Sequence, residues 1–393
     1  MCRNIETGIH TFSLYHKLSY TEAQNLIELL KKRGYYYPLK ENNWNYKGTY
    51  KSNLYADLGV QIYIYHYYFY SGFTLRITPC SLLKESYAAE NLYHPSSTDN
   101  HETEERLNYI LNDLEIKSDL GEIITANEMS VCRVDPCINV YLDSDDEILE
   151  YLRILKKSTF IPHYHVAKFE ETSSHVKNVE GANKHSYHIK SRRAEFTAYD
   201  KIYEMQQGNR CPDELGDTHI LRIEAELKRD ALIKRLDRDE MCSNGKLLKS
   251  TAKNANGILV SFLERMQIGT GNHVRYCDAE ARIEKAKFEN KLKDRMLYLI
   301  RKVSDSNLSS ALDSMCKEYN LNSNQCDRIL NRFDELGISP ITLRNNSQFE
   351  SLPSLISILQ ENQHSIPKRD EDGFIILEWK NDVHKNRFYK SAV

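Results

Sequence analysis

The chain has 393 residues, of which 40% are hydrophobic and 28% are charged, and its formal net charge at pH 7 is −3. This composition indicates a globular protein rather than a disordered or fibrous one, and the length favours two or three domains. The slightly negative charge argues against a protein that coats nucleic acid through bulk positive charge, but it leaves room for a local basic stripe.

Two further absences in the sequence limit its class. No run of about 18 apolar residues occurs, so we predict no membrane-spanning helix, and the first ten residues lack the apolar core of a secretory signal. The nine cysteines are scattered without a CxxC pair, which predicts reduced thiols rather than disulfides or a zinc site. We therefore expect a cytoplasmic protein without a membrane partner.

The N-terminal third is predicted to combine strands with helices. Residues 10–18 alternate in polarity, and a helical pattern follows with Thr21 as its N-cap and Gly34 just beyond its end. Residues 54–83 alternate with period two, which predicts a hairpin that turns at the Ser-Gly pair. Residues 94–103 have the composition of a loop before a short helix.

The middle of the chain continues this pattern. Residues 129–142 predict a strand, and Ser144 followed by three acidic side chains predicts the start of a helix. Further strands are predicted at 159–169, 185–192, 195–200 and 219–228, and helices at 229–237, 247–267, 278–303, 307–319 and 322–336. The order indicates an α+β fold with an antiparallel, ferredoxin-like sheet core and a helical C-terminal region.

Three of the predicted strands carry polar side chains where an ordinary sheet would be apolar. Period two places Asp135, Cys137 and Asn139 on one face of the first strand. In the last strand Glu224 and Glu226 likewise share a face. Carboxylates inside a sheet need a partner, and a divalent cation is one of the few that fit; structural ion pairs with a neighbouring arginine are the alternative.

The second of these three strands ends in "EFTAYDK", which carries Tyr199 and Lys201. In a ferredoxin-like sheet, the strand of Asp135 would lie between those of Tyr199 and Glu224, around one metal ion. Tyrosine is a poor nucleophile at its ordinary pKa of ~10, but an adjacent lysine and a metal-bound phosphate favour the phenolate. A positioned tyrosine can then attack a phosphodiester and keep the energy of the broken bond in a phosphotyrosine link.

The segments "RVD", "FTAYDKIYEM" and "LRIEAELKRDAL", in this order, resemble motifs of the rolling-circle replication initiators of filamentous phages and of related plasmid initiators. The resemblance covers roughly residues 60–235, because "FTLRITPCSLL" is also similar to a motif in the N-terminal half of that family. It implies a metal-dependent endonuclease that nicks one DNA strand at a replication origin and stays joined to the 5′ phosphate.

Position by position, the resemblance makes Tyr199 the nicking tyrosine. Asp135 and Glu224 become the acidic residues of a Mg²⁺ or Mn²⁺ centre, and Lys201 and Arg222 become their basic companions. A solvated lysine at the end of a strand is the alternative for Lys201.

Other side chains are weaker candidates for the same site. Tyr203 completes a YxxxY spacing similar to that of the two-tyrosine initiators of isometric phages, although it could equally be a packing residue. His163 and His165 superficially match the His-hydrophobe-His metal motif of the wider nickase superfamily, with surface histidines as the alternative. Glu226 is a further possible ligand.

The stretch "KHSYHIKSRR" supplies basic residues for phosphate contacts just before the tyrosine strand. Tyrosine stacking could also guide a single strand there. The predicted DNA-binding residues are Lys184, Lys190, Arg192, Arg193 and Arg222.

These expectations divide the chain into an N-terminal α+β half of the core at 1–125, a catalytic nickase half at 126–240 and a helical region at 241–393, the last a candidate for DNA specificity or partner binding. The expected partners are single- and double-stranded origin DNA, a host helicase and a host polymerase. A conjugative relaxase and a non-catalytic DNA-binding regulator remain open as alternatives. The sequence does not indicate the oligomeric state.

Overall fold

The computed structural model describes residues 4–42, 47–83, 91–117, 121–169, 178–208, 211, 215, 218–234, 243–361, 368–369 and 375–376. The main strands of this part of the chain are β1 Ile5–Lys17, β2 Tyr37–Asn42, β3 Lys47–Ser52, β4 Val60–Tyr67, β5 Tyr70–Ile77, β6 Ser130–Leu142, β7 His165–Ala167, β8 Ser186–Lys190, β9 Ala194–Asp200 and β10 His219–Lys228. They form one ten-stranded sheet in the order β2-β3-β4-β5-β1-β6-β10-β9-β8-β7.

The helices flank this sheet or follow it along the chain. They are α1 Tyr20–Lys32, α2 Pro79–Leu82, α3 Ser97–Asp113, α4 Asp145–Lys156, α5 Val179–Lys184, α6 Lys201–Gln207, α7 Arg229–Ile233, α8 Asn244–Lys253, α9 Ala255–Arg265, α10 Tyr276–Lys285, α11 Asn290–Asp305, α12 Leu308–Tyr319, α13 Ser323–Glu335 and α14 Leu355–Glu361. Two small strand pairs join β11 His273–Val274 to β12 Ser351–Leu352, and β13 Lys368–Arg369 to β14 Ile375–Ile376.

The α+β class is confirmed, and so are several of the elements predicted for the middle of the chain. Strand β10 has the predicted bounds, and β6 lies within the predicted strand. Helix α4 begins after Ser144, whose hydroxyl accepts a hydrogen bond from the backbone N–H of Glu147. This cap satisfies one of the N–H groups that the first turn of a helix leaves free.

Some local predictions were wrong. Helix α1 is capped by Ser19 rather than Thr21, because Ser19 and Glu22 form a reciprocal capping box. Helix α3 begins at Ser97, inside the segment predicted as a loop, and β7 occupies only three residues of the strand predicted at 159–169.

The predicted hairpin exists, but its turn was misplaced. Tyr67 pairs with Tyr70, so the turn consists of Tyr68 and Phe69 rather than the Ser-Gly pair. Gly72 instead lies within β5, where any side chain would collide with the Tyr15 ring and the carbonyl of His16. The glycine therefore permits a close packing contact and does not mark a turn.

The predicted order of the three polar strands was also wrong. Strand β6 pairs with β1 on one side and with β10 on the other, and β9 pairs with the far side of β10. The strand of Glu224, not that of Asp135, is therefore the central one of the three. The reason is that β1, from the N-terminus, occupies the edge of β6 that the ferredoxin-like order assigned to the tyrosine strand.

The two faces of the sheet differ in chemistry. One face is apolar and packs against α1, α4, α8 and α9. Phe196 of β9 is fully buried there and contacts Phe262 of α9, with ring centroids 5.5 Å apart. The other face, which we call the polar face, carries the alternate side chains of the same strands, including Asp135, Glu224 and Tyr199.

The helices after the sheet pack on one another and back onto the core. Helix α11 contacts α10, α12 and α13, and α14 packs on α9. The Tyr151 hydroxyl of α4 also donates to the carbonyl of Pro353. None of the helices that the structure describes is long and apolar enough to cross a bilayer. The division of the chain at residues 125 and 240 stays a prediction.

The contact between Phe196 and Phe262 predicts a large cost for Phe196→Ala. Removing a fully buried ring should lower the free energy of unfolding by about 3–5 kcal/mol, measured by chemical denaturation. Tyr109, whose side chain on α3 is 71% exposed, provides the matched control, since Tyr109→Ala should change stability by less than about 0.5 kcal/mol. Equal small effects would contradict the packing of α9 on the sheet.

Candidate functional site

The polar face carries an ordered array of side chains across neighbouring strands. In the cross-strand register, Arg222 of β10 lies between Asn139 and Tyr199, and Glu224 lies between Cys137 and Thr197. The sequence prediction that Asp135, Cys137 and Asn139 share one face, and that Glu224 and Glu226 share one face, is confirmed by this register. The array brings Tyr199 and Glu224 together directly.

Tyr199 and Glu224 are joined by a hydrogen bond. The phenol of Tyr199 donates to Oε2 of Glu224 over 3.4 Å. The same oxygen lies 2.7 Å from Nδ1 of His10. Within the part of the chain that the structure describes, Oε1 of Glu224 has no hydrogen-bond partner, and the side chain is 21% exposed. The carboxylate therefore offers a free oxygen beside the tyrosine.

His10 is a site residue that sequence reasoning missed. The pairing of β1 with β6 shifts register between Ile9 and Thr11, so His10 is the extra residue of a β-bulge. A bulge re-aims the side chain of the extra residue, and here it directs the imidazole to Glu224. The only sequence signal is a histidine within an alternating strand, which does not reveal a bulge.

The charges of the site shift the pKa values of both partners. Burial, together with the negative charge of Glu224, raises the pKa of the Tyr199 phenol well above its ordinary value. Burial would also raise the pKa of Glu224, but the nearby His10 and Arg222 outweigh it and lower that pKa to about 2. At neutral pH the site therefore holds a protonated phenol against an ionised carboxylate.

Asp135 is held differently from Glu224. Nε and one terminal nitrogen of Arg133 donate to its two carboxylate oxygens over 2.8 and 2.6 Å. The Thr11 hydroxyl adds a third hydrogen bond of 2.5 Å. The remaining terminal nitrogen of Arg133 lies 2.6 Å from Glu226. One guanidinium thus bridges two acids, and both oxygens of Asp135 are occupied by protein donors.

A second arginine is buried in the floor of the site. Arg222 is 1% exposed, and its Nε donates to the side-chain oxygen of Asn139 over 2.8 Å. Asn139 in turn donates to the fully buried Glu6. Burial opposes the charged form of Arg222, but the neighbouring Tyr199 and Cys137, followed by two glutamates, raise its pKa above the ordinary value. A direct DNA contact by Arg222 would need this floor to open.

A cavity of about 400 Å³ opens beside Tyr199. It is bounded by α5, β8, β9, α6 and the middle of β10. Its lining residues are Phe169, Ala182, His185, Ser186, His188, Thr197, Tyr199, Asp200, Tyr203, Glu204, Gln207, Gly208 and Glu224. Tyr199, Tyr203 and Glu224, all predicted from sequence, therefore share one recess that also holds two histidines.

Tyr203 has the features of a packed residue. Its ring stacks on His185 with centroids 3.9 Å apart and an interplanar angle of 9°. Its hydroxyl is buried and has no hydrogen-bond partner among the described residues. Asp200 caps helix α6 by accepting from the N–H of Tyr203, and it also contacts His185 at 2.9 Å. The strand-to-helix junction thereby fixes both tyrosines.

Other predicted residues lie further from the cavity. Lys201 is 5% exposed in its side chain and pairs with Glu204 at 2.8 Å, without lining the cavity. His163 is an exposed turn residue with a φ of 67°, and His165 is exposed at the start of β7, so the two do not share a strand.

The predicted basic residues are also spread over several elements. Lys190 ends β8 opposite Glu195 of β9. Arg192 and Arg193 are exposed in the turn between these strands. Lys184 lies at the end of α5, where its carbonyl accepts from Nζ of Lys156. The sheet therefore places three of these cations at one end of the polar face and Lys184 elsewhere.

The donor set can be compared with the needs of a divalent metal ion. No cluster of three or more histidine, cysteine or acidic side chains suited to a metal occurs in the described ranges. Glu224 nevertheless supplies a carboxylate beside the cavity, and Mg²⁺ commonly binds through one or two carboxylates while keeping several waters. Oε1 of Glu224 is open to such a partly hydrated ion, whereas both oxygens of Asp135 already accept hydrogen bonds from Arg133 or Thr11.

Comparison with known proteins adds a family relation for the middle of the chain. Residues 90–239 match a protein-family model that describes the N-terminal part of a phage replication-associated protein. No curated protein sequence matches the chain. The matched segment contains β6, β9 and β10, and hence Asp135, Tyr199 and Glu224. The similarity is limited to this segment, which is less than half of the chain.

The Arg133 bridge predicts the consequence of Arg133→Met. Two carboxylates would lose their common cation, which should cost about 3–5 kcal/mol of unfolding free energy. Burial raises the pKa of Glu226, and Arg133 opposes that shift, so without the guanidinium the pKa of Glu226 should rise further, and the folded state binds more protons and gains stability as pH falls. The cost should therefore be larger at pH 8 than at pH 5, measured by denaturant titration.

The exposed Arg192 provides the matched control for this experiment, since Arg192→Met should stay within about 0.5 kcal/mol of the parent protein at both pH values. A cost for Arg133→Met that does not change with pH would show that the bridge does not neutralise the acids.

Proposed function

We propose that the protein is a site-specific single-strand DNA endonuclease and strand transferase that initiates rolling-circle replication through a covalent 5′-phosphotyrosine intermediate. The observation that carries this proposal is the hydrogen bond between Tyr199 and Glu224 in an open recess of the polar face. The match of residues 90–239 to a phage replication-associated family supports it.

The proposed reaction exchanges one phosphodiester for another. The Tyr199 oxygen attacks the origin phosphorus, the bond from phosphorus to the 3′ oxygen breaks, and the 5′ phosphate remains on the tyrosine. The phenol proton leaves along the hydrogen bond towards Glu224, and the departing 3′ oxygen takes up a proton from solvent to become a hydroxyl. A host polymerase could extend that hydroxyl, and attack by a later 3′ hydroxyl would release the tyrosine.

Positioning is the main contribution of the residues around Tyr199. The phenol is held at the end of β9 by the cap of α6 and by Glu224, so attack needs little reorientation. The buried Arg222 beside it carries positive charge, which favours the phenolate and the developing charge on the phosphate. The proposal leaves Lys201 as a support of α6 rather than as a phosphate ligand, because its ammonium pairs with Glu204.

A divalent ion, Mg²⁺ or Mn²⁺, belongs to the same proposal. Glu224 would hold it beside the recess, while His10 orients the carboxylate through its other oxygen. When bound, such an ion polarises the phosphate oxygens and neutralises charge in the transition state. His10 and Arg222 keep Glu224 ionised, and its Oε1 stays available to bind the ion.

Replacing the nucleophile tests the proposal directly. Tyr199→Phe should abolish the covalent adduct with a labelled origin oligonucleotide in Mn²⁺, because the attacking oxygen is gone. Tyr203→Phe should keep adduct formation within about tenfold of the parent protein, since the Tyr203 hydroxyl is buried away from Glu224. The adduct is measured on denaturing gels. Adduct formation by Tyr199→Phe would rule out Tyr199 as the nucleophile.

The two glutamates of β10 allow a matched test of the carboxylate. Glu224→Gln should slow adduct formation by about 100-fold or more and weaken its dependence on added metal, because the charged oxygen beside the phenol is lost. Glu226→Gln, on the same strand and face, should cost less, since Glu226 pairs with Arg133. Rates are compared at several Mn²⁺ concentrations. Equal losses would remove Glu224 from its proposed role.

A non-catalytic DNA-binding protein is the second candidate that an observation favours. The pairing of Asp135 and Glu226 with Arg133 is the ion-pair arrangement that such a protein would need. If the protein is non-catalytic, the parent protein should bind DNA and form no covalent adduct. A conjugative relaxase would share the chemistry at Tyr199 and differ in the DNA site, so cleavage of a transfer-origin sequence in preference to a replication origin would identify it.

A further inference from the structure

The turn between β4 and β5 exposes aromatic side chains to solvent. Phe69 is 95% exposed and Tyr68 is 68% exposed. Their rings meet edge to face with centroids 4.9 Å apart. We call these two residues the hairpin tip. Burial of a phenylalanine ring stabilises a fold, but the Phe69 ring is not buried in this one.

The geometry of the turn does not require aromatic residues at the hairpin tip. Two-residue hairpin turns favour glycine, asparagine or aspartate, because the preferred turn types need positive φ. The tip contains none of these residues, and neither Tyr68 nor Phe69 has a positive φ. Within the described residues, neither packing nor turn formation requires an aromatic ring at position 69, so the ring is available to stack on a ligand.

The tip continues into a set of tyrosines on the polar face. Cross-strand pairing places them on the same side of β1, β4 and β5, and we call them the tyrosine face: Tyr15, Tyr63, Tyr65, Tyr67 and Tyr70. Tyr15 and Tyr70 are parallel, with centroids 6.0 Å apart and an interplanar angle of 7°. Flat rings of this kind are platforms on which nucleobases stack.

Basic side chains lie along the same end of the sheet. Lys17 ends β1 opposite Gly72, close to the tip in register. Lys228 ends β10, and its Nζ reaches the carbonyl of Arg192 in the turn between β8 and β9. Lys17, Lys228 and Arg192 are all exposed. Phosphate contacts are therefore available along the rim that connects the tip with the tyrosine strand.

The dimensions agree with a short stretch of single-stranded DNA. Strands β5 and β9 are separated by β1, β6 and β10, so four spacings of about 4.8 Å place them about 19 Å apart. Along the strands, Tyr199 is level with Glu6 of β1, whereas the tip lies beyond Lys17, which adds an offset of about 35 Å. The resulting separation of about 40 Å is covered by roughly twelve nucleotides at the ~3.4 Å rise of one DNA strand. The polar face is continuous between them, because Ser13 of β1 pairs with Arg76 on one side and Arg133 on the other.

We infer that the hairpin tip and the tyrosine face bind unpaired bases of single-stranded DNA, outside the matched segment 90–239. The inference rests on the proposed function for the identity of the strand, which is the one cut at Tyr199. Bases of any sequence can stack on Phe69 and Tyr68. The exposed basic side chains of Lys17, Lys228 and Arg192 contact the phosphates. The N-terminal half of the sheet thereby becomes part of the DNA-binding surface.

The test compares full-length variants by fluorescence anisotropy, without cleavage. The probes are a ~15-nucleotide thymidine oligonucleotide and an abasic oligonucleotide of the same length. Phe69→Ala should weaken binding to the thymidine probe by about fivefold to tenfold, and Tyr68→Ala/Phe69→Ala should weaken it further. Binding to the abasic probe and the salt dependence should not change, because the phosphate contacts remain. Tyr109→Ala, an exposed aromatic on α3, is the control and should match the parent protein.

Several outcomes would overturn the inference. These are unchanged affinity of Phe69→Ala for the thymidine probe, equal losses on both probes, and a tip substitution that reduces binding only to lipid vesicles or to another protein. Binding is measured without cleavage, so the two proposals can fail separately. If the parent protein forms no adduct but Phe69→Ala still weakens binding to the thymidine probe, the proposed function is ruled out and the base-binding surface is supported.

Discussion

Pairing of carboxylates on one face of an antiparallel sheet is the constraint on which the rest of this structure depends. A buried charge without a partner is too costly to keep, so Asp135 and Glu226 share Arg133, and Glu224 is held by His10 with Arg222 nearby. Arg133 and Arg222 come from the strand of the acid they face or from a neighbouring one, whereas His10 reaches Glu224 from β1, across β6. The sheet can therefore present acids to solvent without losing its apolar core on the other face.

Strand β1 connects the two halves of the molecule. It pairs with β5 and with β6, and it contributes Thr11 and the bulged His10 to the polar face. The family match begins only at residue 90, but the site is incomplete without these residues from the start of the chain. Without β1, β6 would become an edge with unpaired N–H and C=O groups, and Glu224 would lose its closest partner.

The two acids first assigned to a metal centre have different environments, and the difference is geometric. Asp135 lies two residues from Arg133 on the same side of β6, so the guanidinium reaches both of its oxygens. Glu224 has its contacts on one oxygen and faces the recess. A carboxylate that is ionised, partly exposed and half-satisfied is the better candidate for chemistry. The same comparison separates Tyr199, bonded to Glu224, from Tyr203, stacked on His185.

The sequence by itself determined the elements that depend on local patterns. Alternation with period two identified β6 and β10 and the faces of Asp135 and Glu224, and Ser144 with its acids identified the start of α4. Tertiary structure decided the strand order, the bulge at His10 and the hydrogen bond of Tyr199. It also decided which basic side chain pairs with each acid. These features depend on which strands become neighbours, and segments far apart in the chain compete for the same pairing edge. Periodicity shows only which side of a strand a residue occupies.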